Sequence, residues 1–281
     1  MCGIVGYAGK TNVIKNIMTG LKSLEYRGYD SSGIAYLDKN NNIKIYKKVG
    51  QIKNLDQILN YEDEASLGIS HTRWATHGGV TDTNAHPHNQ GKITLVHNGI
   101  IENYEEIKKE LEKEGYNFKS STDSEVAAVL IDKLYKENKD MLKTLIKLKE
   151  ILKGSYAFNI INSDIPNKIY GIRKDVPLIV GVSNHDNMFA SDIPAILHVT
   201  NKYIVLNNNE IVELEQDNVK YYNSEGKEIT KEVKEYAGTI DSISKNGYEH
   251  FMLKEINEEK ASISIGRVMT CVLGMVVSRE R

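Results

Sequence analysis

Cysteine is nearly missing from this chain. Its 281 residues include only two, Cys2 and Cys271. They are too few and too far apart for a disulfide framework, which points to a reducing, cytoplasmic setting. Net charge is as scarce: 36 Lys and Arg oppose 38 Asp and Glu, a formal −2. With no basic excess to hold a polyanion, neither nucleic acid nor an anionic membrane is expected as a partner. Long apolar runs are lacking too. Val268–Val277 is too short to span a bilayer, and no basic region followed by a long apolar one opens the chain as a secretory signal would. A phosphate loop is also excluded. Gly9-Lys10-Thr11 stands where one would lie, but the pattern needs glycine at position 4, which is Ile4.

What is present reads as a mixture of short strands and amphipathic helices. Apolar runs at Cys2–Ala8, Ile34–Leu37, Ile43–Lys48, Leu67–His71 and Ile93–His97 have the length of strands. Val13, Ile14, Ile17, Met18, Leu21 and Leu24 follow helical spacing, with Asn12 placed to cap them. Tyr104–Glu114, Asp123–Tyr135 and Met141–Leu152 are amphipathic at the same period. From Tyr156 to Tyr222 the pattern becomes six short β-like runs. Antiparallel sheets with helices packed outside fit this order better than a parallel βαβ series. No internal repeat or low-complexity segment interrupts it.

Several segments carry chemistry-bearing residues. Removal of Met1 would leave Cys2 with a thiol and an α-amine on one residue, and the amine (reference pKa about 7.7–8.0) could take the thiol proton near neutral pH. The plainer alternative is a small residue opening a buried strand. In His71–Gly78, Arg73 suits a bidentate grip on a carboxylate, although a surface loop with a salt bridge would look the same. Asn98-Gly99 follows a strand and offers an amide and a glycine N–H for an oxyanion; Asn-Gly is also a strong turn signal. Asp123 opens a helix either as a simple N-cap or as a carboxylate for an ammonium group. His71, His77, His86, His88 and His97 cluster in sequence, but His86-Pro87-His88 lacks zinc-site spacing. Structural histidines are the expectation, with no metal and no cofactor.

Taken together, Met1–Gly6, Leu24–Ser31, His71–Gly78, Asn84–His88, Val96–Asn103 and Thr122–Glu125 resemble the glutaminase domain of the class II glutamine amidotransferases, which are N-terminal-nucleophile hydrolases. Within that class the likeness, over residues 2–256, is to the amino-sugar-forming aminotransferases. The resemblance implies an α+β fold, a four-layer αββα sandwich of two antiparallel sheets flanked by helices. It implies L-glutamine as substrate, with Cys2 attacking the side-chain amide and a glutamyl thioester as intermediate. Asn98 and Gly99 would hold the oxyanion, Arg73 the α-carboxylate and Asp123 the α-ammonium. Thr76 and His77 would complete the pocket, Trp74 would ride on a mobile loop, and Arg27 would support the nucleophile.

The same resemblance divides the chain into a glutaminase domain over 1–240, a hinge over 241–256 toward a sugar-phosphate isomerase domain, and a divergent or truncated tail over 257–281. The isomerase domain itself has no counterpart in these residues. An active glutamine-hydrolysing domain is the leading expectation. A non-catalytic remnant is the alternative from another class, and another class II member such as amidophosphoribosyltransferase or asparagine synthetase is the alternative among enzymes. Ammonia release from glutamine separates the first from the second. Trp74, His86-Pro87-His88 and Tyr248–Ile256 argue against the third.

Overall fold

In the computed structural model, residues 2–10, 12–75 and 78–238 are described. The expected hinge over 241–256 and tail over 257–281 lie outside them. The chain runs β1 (Gly3–Gly9), α1 (Val13–Lys22), β2 (Ser31–Asp38), β3 (Ile43–Val49), α2 (Ile52–Asp56), β4 (Ala65–Arg73), β5 (His88–Gln90) and β6 (Ile93–Ile101). Three helices follow: α3 (Tyr104–Lys113), α4 (Asp123–Asn138) and α5 (Met141–Ile151). Then come β7 (Gly154–Asn162), β8 (Ile169–Lys174), β9 (Ile179–Gly181), β10 (Asp186–Ala190), β11 (Lys202–Val205), β12 (Ile211–Leu214), β13 (Val219–Tyr222), β14 (Glu228–Ile229) and β15 (Lys234–Glu235).

The strands form two antiparallel sheets. One has eight strands in the order β15-β11-β9-β10-β1-β4-β2-β3; the other has seven, β14-β13-β12-β8-β7-β6-β5. Three apolar clusters give the layering. Ile4, Ala35, Leu67 and Ile69 of the first sheet meet Val96, Ala157 and Ile161 of the second. The outer face of the first sheet, with Val5, Tyr7, Ile34 and Tyr36, is covered by Ile14, Ile17, Met18 and Leu21 of α1 and by Ile52 and Leu55 of α2. The outer face of the second, with Leu95, Phe158 and Ile160, is covered by α3, α4 and α5. This is the expected four-layer αββα sandwich. Both faces of the inner strands are covered, which is why β1 is buried along its whole length. Among the described residues no helix is long and apolar enough to cross a membrane.

Local chemistry departs from the sequence reading at three places. Asn12 makes no side-chain cap to α1; it sits in the left-handed region at φ 55°, a conformation asparagine tolerates. The cap of α4 is Thr122, whose side chain accepts from the Glu125 N–H, so Asp123 is the first helical residue and its carboxylate is left for other work. Asn98-Gly99 is no turn, because β6 continues through both to Ile101 and pairs residue by residue with β7.

Candidate active site

The two-residue period of the strands places the site. Along β4, Ile69, His71 and Arg73 share one face, and Ile69 belongs to the inter-sheet core. Along β6, Val96 and Asn98 share the facing side, while His97 points to the helices. Where the apolar layer between the sheets runs out, His71 therefore meets Asn98 across the gap, at the end where Cys2 leads into β1. Cys2, His71, Arg73, Trp74, Gly99, Thr122, Asp123 and Ser124 line one small pocket there.

The contacts around Cys2 are short and specific. Its Sγ lies 3.3 Å from the Trp74 backbone nitrogen, which donates to it. Burial pushes the thiol above its ordinary value, opposed by the Trp74 backbone and by Arg73. Asn98 Nδ2 donates to the Cys2 carbonyl at 3.1 Å. Asn98 Oδ1 lies 3.0 Å from His71 Nε2, which must carry the hydrogen because an amide oxygen only accepts. That bond fixes which end of the Asn98 amide faces Cys2. Gly99 beside it has φ +123°, and a Cβ there would lie 2.1 Å from the Ser155 carbonyl oxygen. Only glycine fits that backbone.

The two candidates for substrate charge come from different elements, Arg73 from the end of β4 and Asp123 from the start of α4. Arg73, buried at 4 % exposure, donates from Nη1 to the Gly79 carbonyl at 3.1 Å and from Nη2 to the Gly78 carbonyl at 3.2 Å. Burial lowers its pKa, and the fields of Cys2, Asp30 and Asp123 oppose that. Asp123 is buried at 5 % exposure; its Oδ2 accepts from the Ile101 N–H at 2.9 Å, and Ser124 Oγ donates to Oδ1 at 3.3 Å. Trp74 is half exposed and stands edge-on to Tyr29, centroids 5.7 Å apart. Thr76 and His77 lie outside the described residues. Arg27 sits in a partly buried cluster: it pairs with Asp192, and Tyr26 donates to the same carboxylate at 2.6 Å. Burial works against the Arg27 charge, but Asp192 outweighs it and the guanidinium is held above its ordinary value.

The histidines form a column rather than a ligand set. His71 stacks on His86 at 4.1 Å, and the His97 N–H donates to His86 Nδ1 at 3.2 Å. His97 Nδ1 lies 2.9 Å from Ser124 Oγ, and His88 Nε2 lies 3.1 Å from Thr122 Oγ1. Burial drives His71 down to about 3, and His86 and His88 well below their ordinary value, so all three are neutral. Among the described residues no three His, Cys, Asp or Glu side chains are grouped to hold a metal ion.

Sequence reasoning missed three supports. Asp30 Oδ2 accepts from the Ala75 N–H at 2.9 Å and so anchors the segment after Trp74. Thr72 Oγ1 donates to the Gly28 carbonyl, and a Cβ at Gly28 would lie 2.7 Å from the Arg73 backbone. Asp192 is 165 residues from Arg27, and no spacing rule links the two. The signal for Asp30 and Gly28 was their place in the Leu24–Ser31 segment.

With this geometry in place, likeness to known proteins is informative. Residues 71–198 match the family described as the glutamine amidotransferase domain. The chain is 48% identical over 263 residues to a glutamine–fructose-6-phosphate aminotransferase (isomerizing) of Fusobacterium nucleatum, covering 92% of this chain and 43% of that protein. It is likewise 48% identical to the protein so named in Aquifex aeolicus, covering 94% and 45%. The chain thus spans less than half the length of the curated relatives it matches. Among solved structures, the glutamine phosphoribosylpyrophosphate amidotransferase of B. subtilis superposes with a TM-score of 0.69 at 25% identity, over 79% of this chain and 49% of that one. A structure described as the allosteric regulatory enzyme of purine biosynthesis gives 0.70 at 26%, with the same coverage.

Proposed function

This chain belongs to the class II glutamine amidotransferase family, and from that premise we propose that it hydrolyses L-glutamine to glutamate and ammonia at Cys2. The observation that carries the reading is the gathering of Cys2, Arg73 and Asp123 in one pocket at the open end of the inter-sheet layer, with the Asn98 amide bonded to the Cys2 carbonyl. Cys2 Sγ attacks the side-chain amide carbon, and the C–O double bond opens to an oxyanion. The second Asn98 Nδ2 hydrogen, the first being bonded to the Cys2 carbonyl, and the Gly99 N–H stabilise that charge as it develops. The α-amine of Cys2 takes the thiol proton and passes it to the leaving nitrogen. The C–N bond then breaks, ammonia departs and a glutamyl thioester remains. Water adds to the thioester, releases glutamate and restores the thiol. Arg73 binds the α-carboxylate and Asp123 the α-ammonium; the resemblance adds Thr76 and His77 as substrate-binding residues, Trp74 covers the pocket, and Arg27, tied to Asp192, supports the nucleophile.

The relatives' names support a further reading: the ammonia is destined for fructose 6-phosphate, in amino-sugar synthesis in the cytoplasm, with the sugar phosphate handled by an isomerase domain outside these residues. The test is ammonia release from glutamine by the purified chain, with intact mass to show that Met1 is gone. Cys2→Ala abolishes turnover while glutamine still binds, because Arg73 and Asp123 supply the affinity. Turnover by Cys2→Ala, or full activity with Met1 retained, sinks the mechanism. Binding without any turnover by the native chain favours the non-catalytic alternative.

A further inference from the structure

Asn84 has no part in the chemistry above, yet its amide is fully engaged in a buried position at 7 % exposure. Nδ2 donates to the Gly79 carbonyl at 3.0 Å and to Ser121 Oγ at 3.2 Å, and Oδ1 accepts from the Ser121 N–H at 3.1 Å. The Gly79 oxygen is the one that also receives Arg73 Nη1 at 3.1 Å. One carbonyl thus takes the guanidinium on one side and the Asn84 amide on the other. Ser121 in turn leads directly into the Thr122 cap and Asp123. Asn84 is itself fixed by a tight turn, its N–H reaching Thr81 Oγ1 at 3.2 Å while the Ala85 N–H reaches the Thr81 carbonyl at 3.0 Å. Packing around the bridge is close: a Cβ at Gly78 (φ +77°) would lie 2.6 Å from Ser121 Oγ and 2.9 Å from Asn84 Nδ2.

We infer that Asn84 is a positioning residue that sets the distance between Arg73 and Asp123, and hence the span between the carboxylate and ammonium groups that the site accepts. The inference rests on the grip assigned to Arg73 and Asp123 under the proposed function. A free α-amino acid must satisfy both charges at once, so loosening the bridge weakens both contacts together. A small neutral electrophile touches neither and reaches Cys2 as before. Asn84 therefore acts on which molecules are held, and the reactivity of the thiol does not depend on it.

The test uses purified Asn84→Ala and Asn84→Asp beside the native chain. Asn84→Ala should raise the KM for glutamine about tenfold with kcat within about twofold, and the rate of Cys2 alkylation by iodoacetamide should be unchanged. Asn84→Asp keeps an acceptor for the Ser121 N–H but sets a second oxygen against the Gly79 carbonyl, so its KM should rise at least as far. An unchanged KM in both variants overturns the inference. So does a loss of iodoacetamide reactivity in step with KM, or failure of both variants to fold, since either makes Asn84 a stability residue. Arg73→Ala separates the two levels. If it raises KM while Asn84→Ala does not, the bridge is wrong and the grip stands; if it leaves KM alone, the grip fails and the bridge with it.

Discussion

At the scale of single residues, the proposed function divides the site into groups that hold and groups that react. Arg73 and Asp123 are buried and charged, and each loses a charge-assisted bond on truncation, worth roughly 1.5–3 kcal/mol. Arg73→Ala and Asp123→Ala should therefore raise KM for glutamine about tenfold to a hundredfold with little change in kcat. Asn98→Ala should instead lower kcat by about 10²–10³-fold, because its amide counts most when the oxyanion forms. Steady-state kinetics on the three variants check the division. An Asn98→Ala variant that changed KM alone would reverse the assignment. The structure brings into one pocket candidates that the residues themselves had offered: Cys2 for its terminal amine, Arg73 for its bidentate fork, Asp123 for its place at the start of a helix. Asp192 was not legible in this way, because its tie to Arg27 exists only once 165 residues of chain have folded back.

At the scale of elements, the instructive case is β6. Asn98-Gly99 carries a strong turn signal, but pairing of Gly99 with Tyr156 and Ile101 with Gly154 on β7 overrides it. The strand tolerates Gly99 only because glycine reaches φ +123° without a side chain. Gly99→Ala should destabilise the domain by about 2 kcal/mol or more, since the strain adds to the clash with the Ser155 carbonyl. A lowered urea midpoint together with lost turnover is the expected result; a midpoint equal to native would mean that β6 relaxes freely there. The four longer helices were read nearly to their ends from apolar spacing, Asp123–Tyr135 against the observed Asp123–Asn138, whereas the short α2 was not read. β10, Asp186–Ala190, was not read at all. Asp and Asn are poor strand formers, and this segment is a strand because β1 and β9 flank it and supply its hydrogen bonds. Short segments whose state is imposed by neighbours leave little trace in their own residues.

At the scale of the whole molecule, three neutral histidines lie buried where the two sheets and α4 converge. His71 falls to about 3, and His86 and His88 sit well below their ordinary value, burial being the main cause. In the unfolded chain each returns to about 6.5. Below that pH the unfolded state binds protons that the native state refuses, so stability is full above about 6.5 and falls as the pH drops toward 3. Each histidine contributes up to about 1.4 kcal/mol per pH unit in this window. Urea unfolding followed between pH 6.5 and 5, above the range where carboxylates titrate, should show a steep loss of stability. A flat profile there would contradict the burial of these rings.

The strand order of the larger sheet also governs how the molecule is made. β1 precedes β4 and β10 in the chain, yet it lies between them in the sheet. Its second neighbour begins at Asp186. At roughly 5–20 residues per second, that partner emerges roughly ten to forty seconds after Cys2 does. β4 can pair one edge of β1 much earlier, but throughout that interval the edge that β10 covers stays open. The trimming of Met1 that the proposed chemistry requires has this interval in which to occur, before β10 closes over the strand that carries the nucleophile.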